Sequence, residues 1–583
     1  MVGNQDEIRI GGLFELALIL ILGVSCLLFF LYVIPYHLLY EEQMQLFLFS
    51  SDYFLSYFSK PGWLACYIGD FLTQFYYIKG GGAIVISGVL GVVLLMLFLV
   101  FSRVGKRDSW LYIVLPVLAL WFLHTETNYR LSSTIAFFLA LFFFLLYSLI
   151  QKQHKAGITG LLLSIFLYSF IGSHFLTFIF LVVIFDLSKR RYSSFPYWLF
   201  LVVIGICCPL FCREYYLLTV RQAFLYPMNT LYGFLPSLFL VGLFMIYILS
   251  SDNKSFRYQQ KESGILLLFT VAFMAGIFLN INQTREKLLS LDIETYSENW
   301  EKVSRKAESY QMKNPVATYF TNIAWMKQGI LPDKLLSCYQ PFSEGMFIPV
   351  GPHSNPLEIT FSGEIYYQLG DMNMAQHSTM LAMTFSPQSR SARLIKRLAE
   401  INLVIGDTAA VNKYLRILDK TLFYTSYASN MRTIMEEGEQ NPWLMQKRSL
   451  IATYDTLRTA ADATASLTML IESNPSNKAA LDYLLCYHLL NKNIPSFMEA
   501  FDKWYKEKEY PLPKFYSEAL LIGLAQKKVS AKTLESYHIP NELTATFMTY
   551  TKRYQEAEGN GVGLQKDYGD TYWFYYHYAQ KKK

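Results

Sequence analysis

The chain has 583 residues, of which 53% are hydrophobic and only 16% charged, with a mean hydropathy of +0.24. That balance is too oily for a water-soluble globular protein of this length. The formal net charge of +6 is small and no Lys/Arg run exceeds the three of Lys189-Arg190-Arg191, which speaks against a nucleic-acid partner. Residues 1–281 hold 17 of the 51 Lys and Arg and 13 of the 45 Asp and Glu, so an apolar half is joined to an ordinary soluble half. The seven cysteines show neither CxxC nor zinc-ligand spacing, and indicate no disulfide framework.

A bilayer core of about 30 Å calls for roughly 20 apolar residues in a helix. About nine apolar runs answer to this, near 12–34, 82–101, 110–123, 132–150, 157–172, 175–188, 197–212, 231–250 and 264–281. The first lacks a small-x-small cleavage site and reads as a retained anchor. Alternate loops carry eleven cations, namely Arg103, Lys106, Arg107, Lys152, Lys155, Lys189, Arg190, Arg191, Lys254, Arg257 and Lys261, against five (Lys60, Lys79, Arg130, Arg213, Arg221) on the other side. Lys and Arg are retained in the cytoplasm, so the N-terminus is expected inside. The stretch 157–188 has basic flanks at both ends and only Gly172-Ser173-His174 as a break, which predicts a tight hairpin. An odd number of crossings then puts residues after about 282 outside, in the periplasm beyond a bacterial inner membrane.

The first outward loop, 35–81, is long. It runs through Tyr40-Glu41-Glu42-Gln43, Asp52, Lys60-Pro61-Gly62-Trp63 and Asp70, with aromatic residues at helical spacing, a pattern of interfacial helices with a belt of aromatic anchors. The second outward loop, His124-Thr125-Glu126-Thr127-Asn128-Tyr129-Arg130, gathers an acid, an imidazole and a guanidinium.

From about 283 onward the sequence reads as helical pairs. The unit Gly363-Glu364-Ile365-Tyr366-Tyr367-Gln368-Leu369-Gly370-Asp371, followed by Ala375, Ala382 and Pro387, resembles a tetratricopeptide repeat, and a second copy follows at Ile405-Gly406-Asp407 and Ala410. The resemblance implies helical pairs that bury their faces only against neighbours and stack into a solenoid. A proline- and glycine-rich stretch, 341–356, interrupts the array as a loop. The closing segment Tyr568–Tyr576 is aromatic enough to be a glycan-stacking surface, a membrane-docking patch or internal packing.

Apolar helices with an acid-bearing outer loop right after the first of them resemble C-superfamily membrane glycosyltransferases, which take a sugar from a polyprenyl-phosphate donor. The resemblance implies that Glu41 and Glu42 act as general base or hold a divalent cation, with Asp52 in reserve. An acceptor hydroxyl must lose its proton as the glycosidic bond forms, which requires a carboxylate within hydrogen-bond reach. Glu126 and His174 are further polar candidates, and Arg130, Arg213, Arg221 or Arg285 could grip a lipid phosphate, since guanidinium offers it a bidentate fork. The plainer alternative makes the acids solvated interfacial residues and His174 a headgroup anchor.

Over most of its length the chain also resembles an uncharacterised family of Bacteroidetes membrane proteins. That likeness rests on Tyr40-Glu41-Glu42-Gln43, Pro61-Gly62-Trp63, Leu512–Leu520 and Thr571–Tyr576, and implies no activity. The expectation is an all-α protein: a polytopic transmembrane bundle of about nine helices (1–281) followed by a soluble, tetratricopeptide-like helical-repeat solenoid (282–583). Its partners are membrane lipid, a polyprenyl-phosphate sugar and a protein held by the repeats. Two functions compete: a periplasmic-face glycosyltransferase, and a non-catalytic anchored scaffold for an envelope complex. A transporter is the weaker third, since the visible ionisable groups near the runs are few, Glu15 and Asp186.

Overall fold

The structure is a computed structural model that describes residues 19–103, 110–191, 194–228, 230–249, 256–279, 281–454, 463–508, 510–527 and 534–580. Lys106, Arg107, Lys254, Glu15 and the start of the first apolar run lie outside the described residues. Among the described residues the regular elements are helical and none is a strand. The chain divides into two compact units, residues up to Gln283 together with Ile417–Thr425, and the remainder from Thr284. The loop 417–425, which the sequence groups with the soluble half, thus belongs to the first unit.

In the first unit α1 (Ile19–Tyr32) and α2 (Pro35–Gln43) meet at a bend of 69°, where Pro35 removes a backbone donor and opens a new helix. There follow α3 (Ser51–Ser56), α4 (Trp63–Thr73), α5 (Gly81–Ser102), α6 (Trp110–Leu123), α7 (Leu131–Ser148), α8 (Gln153–Ile171), α9 (Phe175–Ser188), α10 (Phe195–Tyr215), α11 (Val220–Leu225), α12 (Leu235–Leu249) and α13 (Phe256–Leu279). Five stretches are long and apolar enough to cross a membrane, or up to seven if each bent pair is one span. The described helices therefore do not establish nine crossings. α6 has 14 residues and reaches only ~21 Å. The 36-residue stretch Gln153–Ser188 counts as one by length, yet Arg191 Nη2 donates to Ile150 O at 3.1 Å. Those residues flank its two ends, so α8 and α9 run out and back. Asp186 stands at the same end, accepting from Tyr147 OH (2.8 Å) and Trp198 Nε1 (3.3 Å) and pairing with Arg191 (3.3 Å), which makes it a latch for the hairpin. Leu199, Phe200, Val203, Ile206 and Phe211 of α10 are exposed, an apolar surface suited to lipid.

The segment 35–81 is mostly helical and packs into the bundle. α4 lies against α7 and α8, and the approach is so close that a Cβ on Gly69 would stand 2.5 Å from Ser132 Cα. Small residues on both helices permit this. Gly62, at φ +75°, meets the backbone of Gly172 in the α8–α9 turn, and a Cβ on Gly172 would strike Tyr226 O at 2.4 Å.

The second unit begins with α14 (Gln283–Tyr296), α15 (Trp300–Tyr310), α16 (Pro315–Gln328), α17 (Leu331–Lys334), α18 (Pro356–Ser362), α19 (Glu364–Leu369), α20 (Met372–Phe385), α21 (Ala392–Ile405), α22 (Thr408–Leu418), α23 (Thr425–Glu437) and α24 (Pro442–Arg448). Gly370 and Gly406 end α19 and α21 in the left-handed conformation at φ +97° and +96°, where glycine carries no steric penalty. Ala375 and Ala382 are fully buried. A lattice of buried charges crosses these helices. Asp292 pairs with Arg393, Arg397 with Glu364 (3.0 Å) and Glu400 (2.9 Å), and Lys447 with Glu298 (2.8 Å). Arg397 and Lys447 stack over Tyr367 at 3.6 and 4.3 Å, and Gln368 donates to Glu298 and Glu364.

The unit closes with α25 (Ala463–Ser473), α26 (Lys478–Leu490), α27 (Ile494–Ala500), α28 (Lys514–Lys527), α29 (Asn541–Glu556), α30 (Val562–Tyr568) and α31 (Tyr572–Tyr578). The aromatic terminus is packing. Trp573 and Tyr572 are wholly buried, Tyr572 OH and Tyr575 OH donate to Leu489 O and Leu490 O at 2.8 Å, and Trp573 Nε1 donates to Glu518 O at 2.9 Å. Burial pushes the Glu518 carboxyl up to about 7 against the Tyr572 N–H that it accepts.

Two outcomes test this account. Gly69→Ala should destabilise the protein in detergent by about 1–3 kcal/mol, read as a lowered melting temperature, because the Ser132 backbone must give way. Glu518 binds its proton more tightly folded than unfolded, so its contribution to stability is complete below its ordinary carboxylate range and fades as pH rises through about 7. Glu518→Gln should therefore narrow the gap between melting temperatures at pH 5 and pH 8.

Candidate functional site

The bend before α2 and the helical geometry beyond it decide where the two adjacent acids go. Successive side chains on a helix point about 100° apart, so Glu41 and Glu42 diverge. Glu42 is buried and its Oε1 accepts from Tyr424 OH at 2.7 Å. Tyr424 belongs to the loop 417–425, which is held by Phe49 N–H donating to Lys420 O (2.7 Å) and by Phe423 stacked on Tyr77 (5.1 Å). Glu42 is thereby committed to holding that loop.

Glu41 turns the other way. It is only partly accessible and has no hydrogen bond or ion pair among the described residues, and the charges that act on it are Arg130 and Asp70. Arg130 is the N-cap residue of α7 and its carbonyl accepts from Ser133 N–H at 3.0 Å. Its guanidinium, also partly accessible, makes no hydrogen bond or ion pair among the described residues, while its charge reaches Glu41, Asp70, Cys66 and Tyr226. Asp70 comes to this place because Gly69 lets α4 close on Ser132. Its Oδ2 accepts from Tyr57 OH at 2.6 Å, and Tyr57 OH lies 2.6 Å from Tyr53 OH. Burial pushes the Asp70 carboxyl above the usual carboxylate range, opposed by the Tyr57 hydrogen bond and the Arg130 charge.

The structure thus gathers Glu41 and Arg130, from segments far apart in the chain, with Asp70. Asp52, Glu126 and Arg221 stand at exposed positions. His174 is fully buried among Phe137, Phe234, Thr177 and Ser237, with Ser237 Oγ 3.3 Å from Nδ1. The sequence reading passed over Asp70 as a site residue, and Tyr57 as its partner. The available signal was an acid inside the otherwise apolar Trp63–Thr73 helix, a position where carboxylates are rare unless paired. No group of three or more His, Cys, Asp or Glu side chains that could hold a metal ion occurs among the described residues. Two carboxylates flanking a guanidinium, which can only donate, do not fit the divalent cation that the acid pair suggested. Chemically the group offers a free carboxylate to accept a proton and a free fork to bind an oxyanion.

Fold and site together define a helical protein with several membrane-length apolar helices, an acid–guanidinium cluster beside them and a second helical unit. The chain belongs to a family of unknown function, DUF6057, whose model matches residues 12–579. Comparison with curated proteins and with solved structures returned no match.

Glu42→Gln and Tyr424→Phe should each lower the melting temperature, by a hydrogen bond to a charged group worth about 1.5–3 kcal/mol. The double variant should cost little more than either single one, and Glu41→Gln should leave the melting temperature unchanged.

Proposed function

We propose that the protein is an integral inner-membrane glycosyltransferase that moves a sugar from a polyprenyl-phosphate donor to a periplasmic or lipid-linked acceptor. The N-terminus is cytoplasmic in this reading, and the second unit is a periplasmic, tetratricopeptide-like solenoid. One observation carries it: a partly buried carboxylate, Glu41, and a partly buried guanidinium, Arg130, each without a protein partner among the described residues, stand within each other's field. A polar group left unsatisfied in so confined a place is costly unless a ligand completes it.

Glu41 takes the proton of the acceptor hydroxyl as its oxygen attacks the anomeric carbon. The carbon–oxygen bond to the donor phosphate breaks, and the electron pair leaves with the polyprenyl phosphate, whose growing charge Arg130 neutralises. Asp70, held by Tyr57, adds its field at Arg130 and does not itself react. Glu42 has no part in the chemistry. A second reading, an anchored scaffold for an envelope complex, draws on the buried charge lattice of the second unit, which orders helices without offering chemistry.

The test is the profile of lipid-linked and surface glycans in a deletion strain carrying wild type, Glu41→Gln or Arg130→Lys at equal membrane levels. Loss of a general base costs about 10²–10⁴-fold, so Glu41→Gln should fail to restore the glycan that wild type restores. Full restoration by both variants overturns the enzyme in favour of the scaffold.

A further inference from the structure

The second unit contains a cleft of about 550 Å³, bounded by α14, α15, α16 and the segment that follows α17. Pockets of ~300–1,000 Å³ accept small-molecule ligands. Its lining sets three aromatic rings at different depths: Trp325 at 1% exposure, Tyr310 half-buried and Tyr339 at 40% exposure. The Trp325 indole N–H is buried behind this wall and has no hydrogen-bond partner among the described residues. Gln311 and Lys313, on the same wall, have neither hydrogen-bond nor ion-pair partners for their side chains among the described residues. Glu308 and Lys334 neutralise each other at 2.7 Å, and Tyr310 OH lies 3.1 Å from Ser290 Oγ.

We propose that this cleft is a saccharide-binding site, taking a neutral or weakly acidic glycan. A sugar ring has C–H faces that pack on aromatic rings and hydroxyls that both donate and accept. Tyr310 and Tyr339 supply the faces, and the Gln311 amide and the Lys313 ammonium supply the polar partners. With Glu308 and Lys334 paired, Lys313 is the one unpaired cation among the described residues of the lining, and none of them carries a guanidinium. That is poor provision for a phosphate, which favours bidentate forks. An amphipathic helix needs a continuous apolar groove, and here Glu308, Gln311, Lys313 and Lys334 interrupt the wall. The proposal stands apart from Glu41 and Arg130 and goes beyond the proposed reaction, since the cleft lies wholly in the second unit.

The test uses the full-length protein in detergent on an array of bacterial surface polysaccharides and chito-oligosaccharides. Wild type should bind at least one of them. Ala307→Trp, which fills the cleft, and Tyr310→Ala, which removes a face, should weaken that binding by about tenfold or more. Lys313→Ala, at an exposed position, is the variant least able to disturb folding and should weaken it by a smaller factor. Glu41→Gln should bind as wild type does, so this result and that of the glycan profile are independent. In unmodified protein the bound saccharide should also slow alkylation of Cys338, which lines the cleft, as read by peptide mapping. No binding to any arrayed glycan, binding untouched by Ala307→Trp, or capture by a peptide array in its place would overturn the proposal.

Discussion

The approach of α4 to α7 at Gly69 and Ser132 is the contact on which the first unit's candidate site depends. It brings a polar residue, Asp70, into an apolar bundle one position after the glycine and sets it beside the start of α7, where Arg130 caps the helix. Any side chain larger than hydrogen at 69 would separate the helices and pull the carboxylate away from the guanidinium. The contacts of Gly62 with Gly172, and of Gly172 with Tyr226, repeat the device. Where backbones touch, the polar groups next to them are fixed by the packing of the main chain and not by flexible side chains.

The second unit is ordered differently. Its charges are paired inside the structure, with Arg393 and Arg397 of α21 reaching Asp292 and Glu364. Burying such pairs costs desolvation that their attraction barely offsets. Their arrangement is nonetheless demanding, because each guanidinium accepts one register of its neighbours. Tyr296 and Tyr367 receive the same cations on their faces. The lattice therefore selects how α14, α19, α21 and α24 pack more than it adds to the strength of the packing.

Against this satisfied lattice the unsatisfied groups stand out. Glu41 and Arg130 in the first unit are confined polar groups without protein partners among the described residues. A ligand hydrogen-bonding group placed there gains without having to displace a protein partner. The proposed reaction and the proposed saccharide cleft ask for different chemistry: an oxyanion and a proton donor in the first unit, a polyhydroxylated ring in the second.

The sequence by itself determined the apolar character of the chain up to about residue 281, the helical character of the whole and the hairpin at Gly172-Ser173-His174. These follow from composition, hydropathy and glycine placement, which act over a few neighbouring residues. It also picked out Glu41 and Arg130, since polar residues between apolar runs are conspicuous. It did not separate the roles of Glu41 and Glu42, because which face of α2 meets Tyr424 depends on a loop nearly four hundred residues away in the chain. Nor did it reveal Asp70, whose carboxylate gains meaning only from Tyr57 and Arg130, or the cleft around Trp325. Those were decided by tertiary packing, because long-range contacts between backbones and side chains set which polar groups are satisfied and which are left for a ligand.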